Sequence, residues 1–200
     1  RLYALASVAS ISVGSFLSTR ALWTGPYLND VFGLDMISRG NVILALSAAW
    51  LFSALFYGPL DRLFDTRRGV VSIGAISMAI SFVLLAINNS SSVTVVTVLL
   101  VLLGLSSSFT ALIFAHARAL FPDTHTGRAI TAINLFIWSG VFLVQVFTGF
   151  IINAFPANSQ GHSPIEAYQA MFVTLAIALI IAVIVYRRIE DVPPSKDIAH

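Results

Sequence analysis

Long, uninterrupted apolar runs dominate the chain. Six runs rich in Leu, Ile, Val, Ala and Phe lie at about 3–28, 41–60, 70–87, 93–115, 129–155 and 167–186. A helix needs about 20 apolar residues to cross the roughly 30 Å hydrocarbon core of a bilayer, whereas strands of a membrane barrel would alternate in polarity over about 10 residues. The pattern predicts an all-α membrane protein with six transmembrane helices, numbered here spans one to six. A short tail at 191–200 is expected to be disordered.

Composition agrees with a bilayer as the main surrounding of this chain. Hydrophobic residues make up 58% and charged residues only 10% of the sequence, against about 45–50% and about 25% in a typical soluble domain. This balance excludes an ordinary soluble enzyme and a disordered chain. The sequence has no Cys, which excludes disulfides and thiolate metal sites. Eleven basic residues are too few for a nucleic-acid surface, so no nucleic-acid partner is expected.

The basic residues are distributed unequally between the two ends of the predicted spans. Six spans place both termini on one side. Nine of the eleven Lys and Arg residues fall on that side: Arg1, Arg62, Arg67, Arg68, Arg118, Arg128, Arg187, Arg188 and Lys196. Because cytoplasmic loops carry an excess of Lys and Arg, both termini are expected in the cytoplasm, and the appearance of the chain suggests a bacterial inner membrane.

Sequence patterns of known catalytic sites are missing from the chain. It contains no Gly-rich phosphate loop, no HExxH and no G-x-S-x-G. No His, Asp and Glu residues cluster with metal-ligand spacing. An enzyme is therefore not expected, and neither a cofactor nor a metal is expected.

The loop between spans two and three carries a charged motif. It runs from Gly58 through Asp61 and Arg62 to Arg67 and Arg68. This stretch resembles the loop motif of the major facilitator superfamily, approximately G-x-x-x-D-R-x-G-R-R. Compared with that motif, Asp61 comes one residue early. The second Gly is missing, and Phe64 and Asp65 lie near its place. The resemblance implies a gating loop that holds two helix bundles in one state. The alternative is an ordinary solvated basic loop.

Other stretches support the resemblance and place it in the C-terminal half of that family. The segments 22–34 and 118–129 resemble the first helix end and the loop before the eleventh helix in some members. The resemblance implies a three-plus-three inverted repeat, six helices of twelve, and an N-terminal six-helix half that is missing here. A first residue that is not Met fits the expectation of a fragment or processed chain.

Arg20 is the only charged residue expected inside a span. A cation at mid-bilayer costs at least about 2.5 kcal/mol and usually faces a cavity or a partner. On a regular helical wheel, Trp23 and Tyr27 lie near Arg20. We therefore expect Arg20 to bind an anionic group of a solute, with Trp23 and Tyr27 shaping the site. The alternatives are an Arg that extends to the membrane surface and a structural ion pair with the missing half.

Two further spans carry polar residues. Ser107 and Ser108 in span four fit either a hydrated cavity wall or tight packing, and the family resemblance makes span four cavity-lining. Asn134, Trp138 and Gln145 share one face of span five, and interhelical hydrogen bonds are the more common role of such residues. Gly140 and Gly149 are expected to be close-packing positions.

The resulting hypothesis is a secondary active transporter, represented by its C-terminal half. It would move a small polar or anionic solute by alternating access. The competing hypothesis is a non-transporting accessory or assembly subunit that docks on a larger membrane complex. Its partners would be the lipid bilayer and either a small-molecule solute with the missing half, or another membrane subunit.

Overall fold

All regular structure in the described part of the chain is helical. The computed structural model describes residues 1–89 and 92–195. Its helices are α1 (Leu2–Ser18), α2 (Thr24–Phe32), α3 (Met36–Leu63), α4 (Arg67–Ile87), α5 (Val93–Leu105), α6 (Thr110–Leu120), α7 (Asp123–Asn153) and α8 (Ile165–Tyr186). A π-helical turn, Thr19–Trp23, joins α1 to α2. These form six helical spans long and apolar enough to cross a membrane, which confirms the all-helical six-span fold.

Several helices extend beyond the predicted apolar runs because polar residues cap them outside those runs. Asp35 precedes α3 and accepts hydrogen bonds from the N–H groups of Ile37 and Ser38. Thr66 precedes α4 and accepts the N–H of Gly69 at 2.9 Å. Such N-caps satisfy helix donors that have no intrahelical partner. Span two therefore begins at Met36, five residues before the apolar run.

The helix contacts follow an internal symmetry. The most extensive contacts are between α1 and α7, between α4 and α8, and between α3 and α5. In terms of spans, these are one with five, three with six, and two with four. Exchanging spans one to three with spans four to six converts the first pair into the third and leaves the second unchanged. The packing therefore has the arrangement expected of a three-plus-three inverted repeat.

Glycines allow the two symmetry-related crossings to be close. A Cβ added at Gly140 of α7 would lie 2.6 Å from Ser10 Cβ of α1. In the equivalent pair, a Cβ at Gly104 of α5 would lie 2.6 Å from the Leu46 carbonyl oxygen of α3. Small residues let membrane helices approach until their backbones touch. Gly149 differs, since a Cβ there would meet nothing within 4 Å, and its predicted packing role is wrong for the described residues.

Helices α3 and α7 are the least covered spans. In an apolar stretch of 18 residues within each span, 22% of the residues of α3 and 28% of those of α7 are buried, against 44–61% in the other four spans. Their exposed faces are rich in large side chains, among them Leu51, Phe52, Leu55, Phe56, Trp138, Phe142, Phe147 and Phe150. These two helices therefore offer the largest surfaces for lipid or for further protein.

Candidate functional site

The first span is interrupted at its middle by the π-helical turn Thr19–Trp23. Pro26 has no N–H to donate to the carbonyl four residues before it, which weakens the regular ladder at this point. At the end of the turn, both the N–H and the hydroxyl of Thr24 donate to the Thr19 carbonyl oxygen. π-helical turns are rare and frequently mark functional positions. This one carries Arg20.

Arg20 contacts the second span at mid-height. Its Nε donates to Ser47 Oγ at 2.7 Å, and its guanidinium carbon lies 5.9 Å from the centre of the Trp50 ring, which is within cation–π range. Within residues 1–89 and 92–195, the only ion pairs are Arg1–Glu190 and Arg67–Asp61. Arg20 thus has no carboxylate partner there, and its two terminal nitrogens donate no hydrogen bond to described residues.

The fourth span is also interrupted at its middle, between α5 and α6. In this break Ser108 donates its hydroxyl to the Trp50 carbonyl oxygen at 2.6 Å. A pocket of about 210 Å³ opens beside the break, lined by Trp50, Leu51, Ala54, Ser108, Thr110 and Ala111. Trp50 therefore touches Arg20 from the first span, Ser108 from the fourth, and the pocket.

The two interruptions occupy corresponding positions in the two three-helix repeats. Span one opens the first repeat and span four opens the second. Interrupted membrane helices at corresponding positions of a repeat are a good structural indicator of a transporter's binding site. Because both interruptions meet at Trp50, the surface formed by Arg20, Ser47, Trp50 and Ser108 with the 210 Å³ pocket is the candidate solute site.

Not all predicted solute residues reach this site. Trp23 turns toward α7, where its indole N–H donates to Thr148 Oγ1 at 2.8 Å. Tyr27 is buried among the rings of Tyr168 and Phe172 of α8. A wheel of 100° per residue placed all three side chains together, but the backbone from Thr19 to Trp23 is π-helical, so the side chains after Arg20 point in other directions than that wheel gives. The predicted grouping of Arg20 with Trp23 and Tyr27 is corrected accordingly.

The serines of the fourth span separate in the same way. Ser107 is buried and donates its hydroxyl to the Leu103 carbonyl oxygen within its own helix end. Only Ser108 reaches the pocket. At the break in the fourth span, the two adjacent side chains point in different directions, so only Ser108 of this pair lines the pocket.

The polar residues of the fifth span do not form the expected interhelical hydrogen bonds. Asn134 and Trp138 are exposed and Gln145 is half-buried, and their side chains form no hydrogen bond to any described residue. The buried face of α7 is instead formed by Ile133, Ile137, Gly140, Val144 and Thr148. The three polar residues lie outside that face, where they are available to groups beyond this bundle.

The charged loop contains a buried ion pair. Arg67 Nε lies 3.6 Å from Asp61 Oδ2, with side-chain exposures of 7% and 9%. The Arg67 guanidinium also donates to the Val192 carbonyl oxygen at 3.2 Å. A cleft of about 890 Å³ opens beside the pair, and Gly58, Asp61, Arg62, Arg67 and residues of α6 line it. Four of the five predicted gating residues therefore share one cleft.

Arg68, the fifth, binds the segment after α8. Its guanidinium donates to the Ile189 carbonyl oxygen at 2.9 Å, and its N–H donates to Asp191 Oδ1 at 3.0 Å. The Thr66 hydroxyl donates to the second Asp191 oxygen. The described part of the predicted tail, residues 191–195, is thus packed on the loop, and residues 196–200 lie outside the described residues. Composition alone predicts a disordered tail. Residues 191–195 are instead held in place by hydrogen bonds that form only in the folded chain.

The environment of Asp191 keeps its carboxyl ionised. Burial alone would raise the pKa of Asp191, but the hydrogen bonds from Thr66 and the Arg68 N–H, with nearby positive charge, lower it below its ordinary value. A carboxyl with a lowered folded-state pKa stabilises the fold above its unfolded-state pKa. That contribution is lost only as the pH falls through the lowered value, so the contact is intact at neutral pH.

Asp65 explains the irregular form of the loop motif. It has φ of +46°, the left-handed region that Gly occupies without strain and that Asp and Asn enter more readily than other residues. The motif that this loop resembles has its second Gly in the same neighbourhood. Asp65 supplies the same backbone turn and also accepts hydrogen bonds from the N–H and hydroxyl of Ser195.

Sequence reasoning missed Ser47 and Trp50. They are three residues apart, which places them on one face of a helix, at about the middle of span two. An unpaired cation at mid-depth in span one requires a polar or aromatic neighbour at the same depth. Nothing in the sequence, however, indicates that span two rather than another span provides it.

The six apolar spans form two repeats, and each repeat contains one interrupted helix. Together these features define a membrane bundle of the transporter type. The family model of the Major Facilitator Superfamily matches residues 3–200. The chain belongs to this family and is an integral membrane protein. Among curated proteins, no sequence matches the chain.

Solved transporter structures share the fold. An inward-open structure of the xylose transporter XylE from E. coli superimposes with a TM-score of 0.79 at 15% identity, covering 98% of this chain and 49% of that one. The POT family transporter PepTSo gives a TM-score of 0.78 at 17% identity, covering 96% and 38%. This chain therefore spans half or less of the length of these two structures. At such identities the likeness concerns the fold alone.

Proposed function

We propose that this bundle is the C-terminal half of a secondary active transporter that moves a small polar or anionic solute by alternating access. The single observation that carries the proposal is the meeting of the two interrupted helices at Trp50, beside Arg20 and a mid-span pocket. Family membership supports transport, and XylE and PepTSo are transporters. We further propose a bacterial inner membrane with both termini in the cytoplasm, from the distribution of Lys and Arg.

The uncovered faces of α3 and α7 fit this proposal. In a two-bundle transporter, the second bundle would cover part of these faces and would close the Arg20 site from the opposite side. Asn134, Trp138 and Gln145 would then face groups of that bundle or the solute. An accessory subunit would also use these faces for docking, but it has no need of an unpaired cation beside a pocket at mid-depth.

We propose a gating role for the cytoplasmic loop. The buried pair Asp61–Arg67 holds the end of α3 to the start of α4, while Arg68 and Asp191 attach the loop to the segment after α8. Breaking and reforming such a charged cluster is one way in which two helix bundles exchange states. Gly58 and Arg62, which are exposed in the cleft, would contact the second bundle in one of those states.

Solute counterflow tests the proposal. The whole encoded protein is reconstituted in vesicles that are preloaded with one unlabelled solute at a time, from a panel of monocarboxylates, dicarboxylates, sugars and amino acids. The same labelled solute is then added outside. At least one solute should accumulate transiently, and Arg20→Ala should reduce its uptake by about tenfold or more, as removal of a charged hydrogen bond would. Arg20→Lys should give an intermediate loss, since Lys keeps the charge but not the planar fork.

The half-buried residue Arg39, near the start of α3 and away from the candidate site, provides the control, and Arg39→Gln should transport as the unchanged protein does. Absence of counterflow for every solute would favour the accessory-subunit alternative. Counterflow that is unchanged in both Arg20 variants would remove Arg20 from the solute site.

A further inference from the structure

We infer that the solute is an organic monoanion with a flat apolar body, whose single carboxylate or sulfonate pairs with Arg20 while the body lies on Trp50 and enters the neighbouring pocket. The inference rests on the proposed function and specifies its substrate class. Three features support it: the charge of Arg20, the partial exposure of Trp50, and the lining of the pocket.

The charge of the site calls for one anionic group. Arg20 lies midway along its span, and no carboxylate among the described residues lies within 4 Å of it. Ser47 occupies only Nε. The two terminal nitrogens remain as a planar pair of donors, which matches the two oxygens of a carboxylate or sulfonate. Ser47 cannot itself neutralise the cation, because its hydroxyl carries no charge.

The site also calls for an apolar body. Trp50 is 37% exposed. Arg20 lies over this ring, and Phe16 packs against it with 5.5 Å between ring centres. Uncovered aromatic surface beside a cation suits a molecule with a charged end and a flat apolar part, because such rings favour stacked neighbours.

The pocket limits the size and polarity of that body. Its volume is about 210 Å³, and three of its six lining residues are Leu51, Ala54 and Ala111, below the roughly 300–1,000 Å³ of drug-sized sites. The Ser108 hydroxyl is already donated to the Trp50 carbonyl oxygen. A body of about one ring fits this lining, whereas a sugar would leave many of its hydroxyl groups without partners here, at a cost for each.

Ligand-dependent thermal unfolding of the whole purified protein tests the inference with three matched probes. Benzoate has both the ring and the charge, benzamide has the ring without the charge, and acetate has the charge without the ring. A ligand that binds only the folded state raises the unfolding temperature according to its affinity. Benzoate should raise the temperature saturably, and benzamide and acetate should bind at least about tenfold more weakly.

Variants connect the effect to the two residues. Arg20→Gln should weaken benzoate binding by about ten- to a hundredfold, the range for a lost charged hydrogen bond. Trp50→Leu should weaken it by about three- to tenfold, while Trp50→Phe keeps most of the affinity because a ring remains. Arg39→Gln, outside the site, should bind benzoate unchanged. If a variant fails to fold, the comparison of the three probes on the unchanged protein still decides.

The inference is overturned if benzamide or acetate binds as tightly as benzoate, if no probe binds, or if Arg20→Gln retains full benzoate affinity. Counterflow of benzenesulfonate, which stays ionised and does not cross the bilayer as a neutral acid, separates the two proposals. Selective benzoate binding without any counterflow supports the ligand class and contradicts transport. Counterflow of another solute by a protein that ignores benzoate contradicts the ligand class and leaves transport standing.

Discussion

Replacing Gly140 with Leu is expected to destabilise the folded bundle by about 3 kcal/mol or more and to abolish most of the monodisperse protein. The first added carbon would already lie 2.6 Å from Ser10 Cβ and 3.0 Å from Ser10 Cα, so α7 would have to move away from α1. Overpacking a tight contact typically costs about 1–3 kcal/mol. Here the separation would also stretch the hydrogen bond from the Ser10 hydroxyl to the Phe136 carbonyl oxygen, which is 2.8 Å.

Gly149→Leu is the matched control, since the same change is made on the same helix where a Cβ meets nothing within 4 Å. Its effect should be within about 0.5 kcal/mol or slightly stabilising, because Leu is the better helix former. Size-exclusion profiles and thermal unfolding in detergent compare the two variants. Equal stability of the two would show that α1 and α7 do not cross closely at Gly140.

Replacing Asp61 with Ala should cost about 3–5 kcal/mol, the usual range when one partner of a buried ion pair is removed. Asp61 and Arg67 are both nearly covered, and their charged groups are 3.6 Å apart. Without the carboxylate, the Arg67 guanidinium keeps its bond to the Val192 carbonyl oxygen but loses the negative charge that lies 3.6 Å from its Nε in a buried setting. Thermal unfolding should therefore begin at a clearly lower temperature.

Two further variants make this prediction specific. The double variant Asp61→Ala with Arg67→Met should recover much of the lost stability, because it removes the buried cation together with the carboxylate that it pairs with. Arg62→Gln, an exposed charge change in the same loop, should change stability by less than about 1 kcal/mol. A double variant less stable than Asp61→Ala alone would contradict the account of the pair.

The loop with Asp61 and Arg67 and the crossing at Gly140 differ in how far the sequence alone predicts them. Six spans follow from apolar runs, and the family follows from the loop motif, because both are local patterns along the chain. The crossing at Gly140 was expected from residue type, yet a Cβ added at Gly149 would meet no atom of the described residues within 4 Å. Which glycine is contacted depends on the rotation of α7 against α1, which local pattern does not determine.

The candidate site was only partly predictable for the same reason. Arg20 was identified because a cation within a span is costly wherever the helix packs. Trp23 and Tyr27 were misplaced because the wheel assumed regular α-helical geometry, and the π-helical turn Thr19–Trp23, which contains Arg20, departs from it. Trp50 was missed because its role arises from the convergence of three spans. Contacts between residues that are distant along the chain produce no periodic pattern in a single sequence.

Aqueous labelling of a single introduced cysteine tests the central claim most directly, namely that the Trp50 pocket is a solute site open to water. The sequence has no Cys, so Ala54→Cys in the pocket and Ile177→Cys, on the exposed face of α8, each provide one defined thiol in this chain. A membrane-impermeant thiol reagent should label Ala54→Cys rapidly, a bound solute should slow that reaction, and Ile177→Cys should stay unlabelled in lipid. The account would be contradicted if Ala54→Cys were as unreactive as Ile177→Cys, or if no solute of the counterflow panel changed the labelling rate of Ala54→Cys.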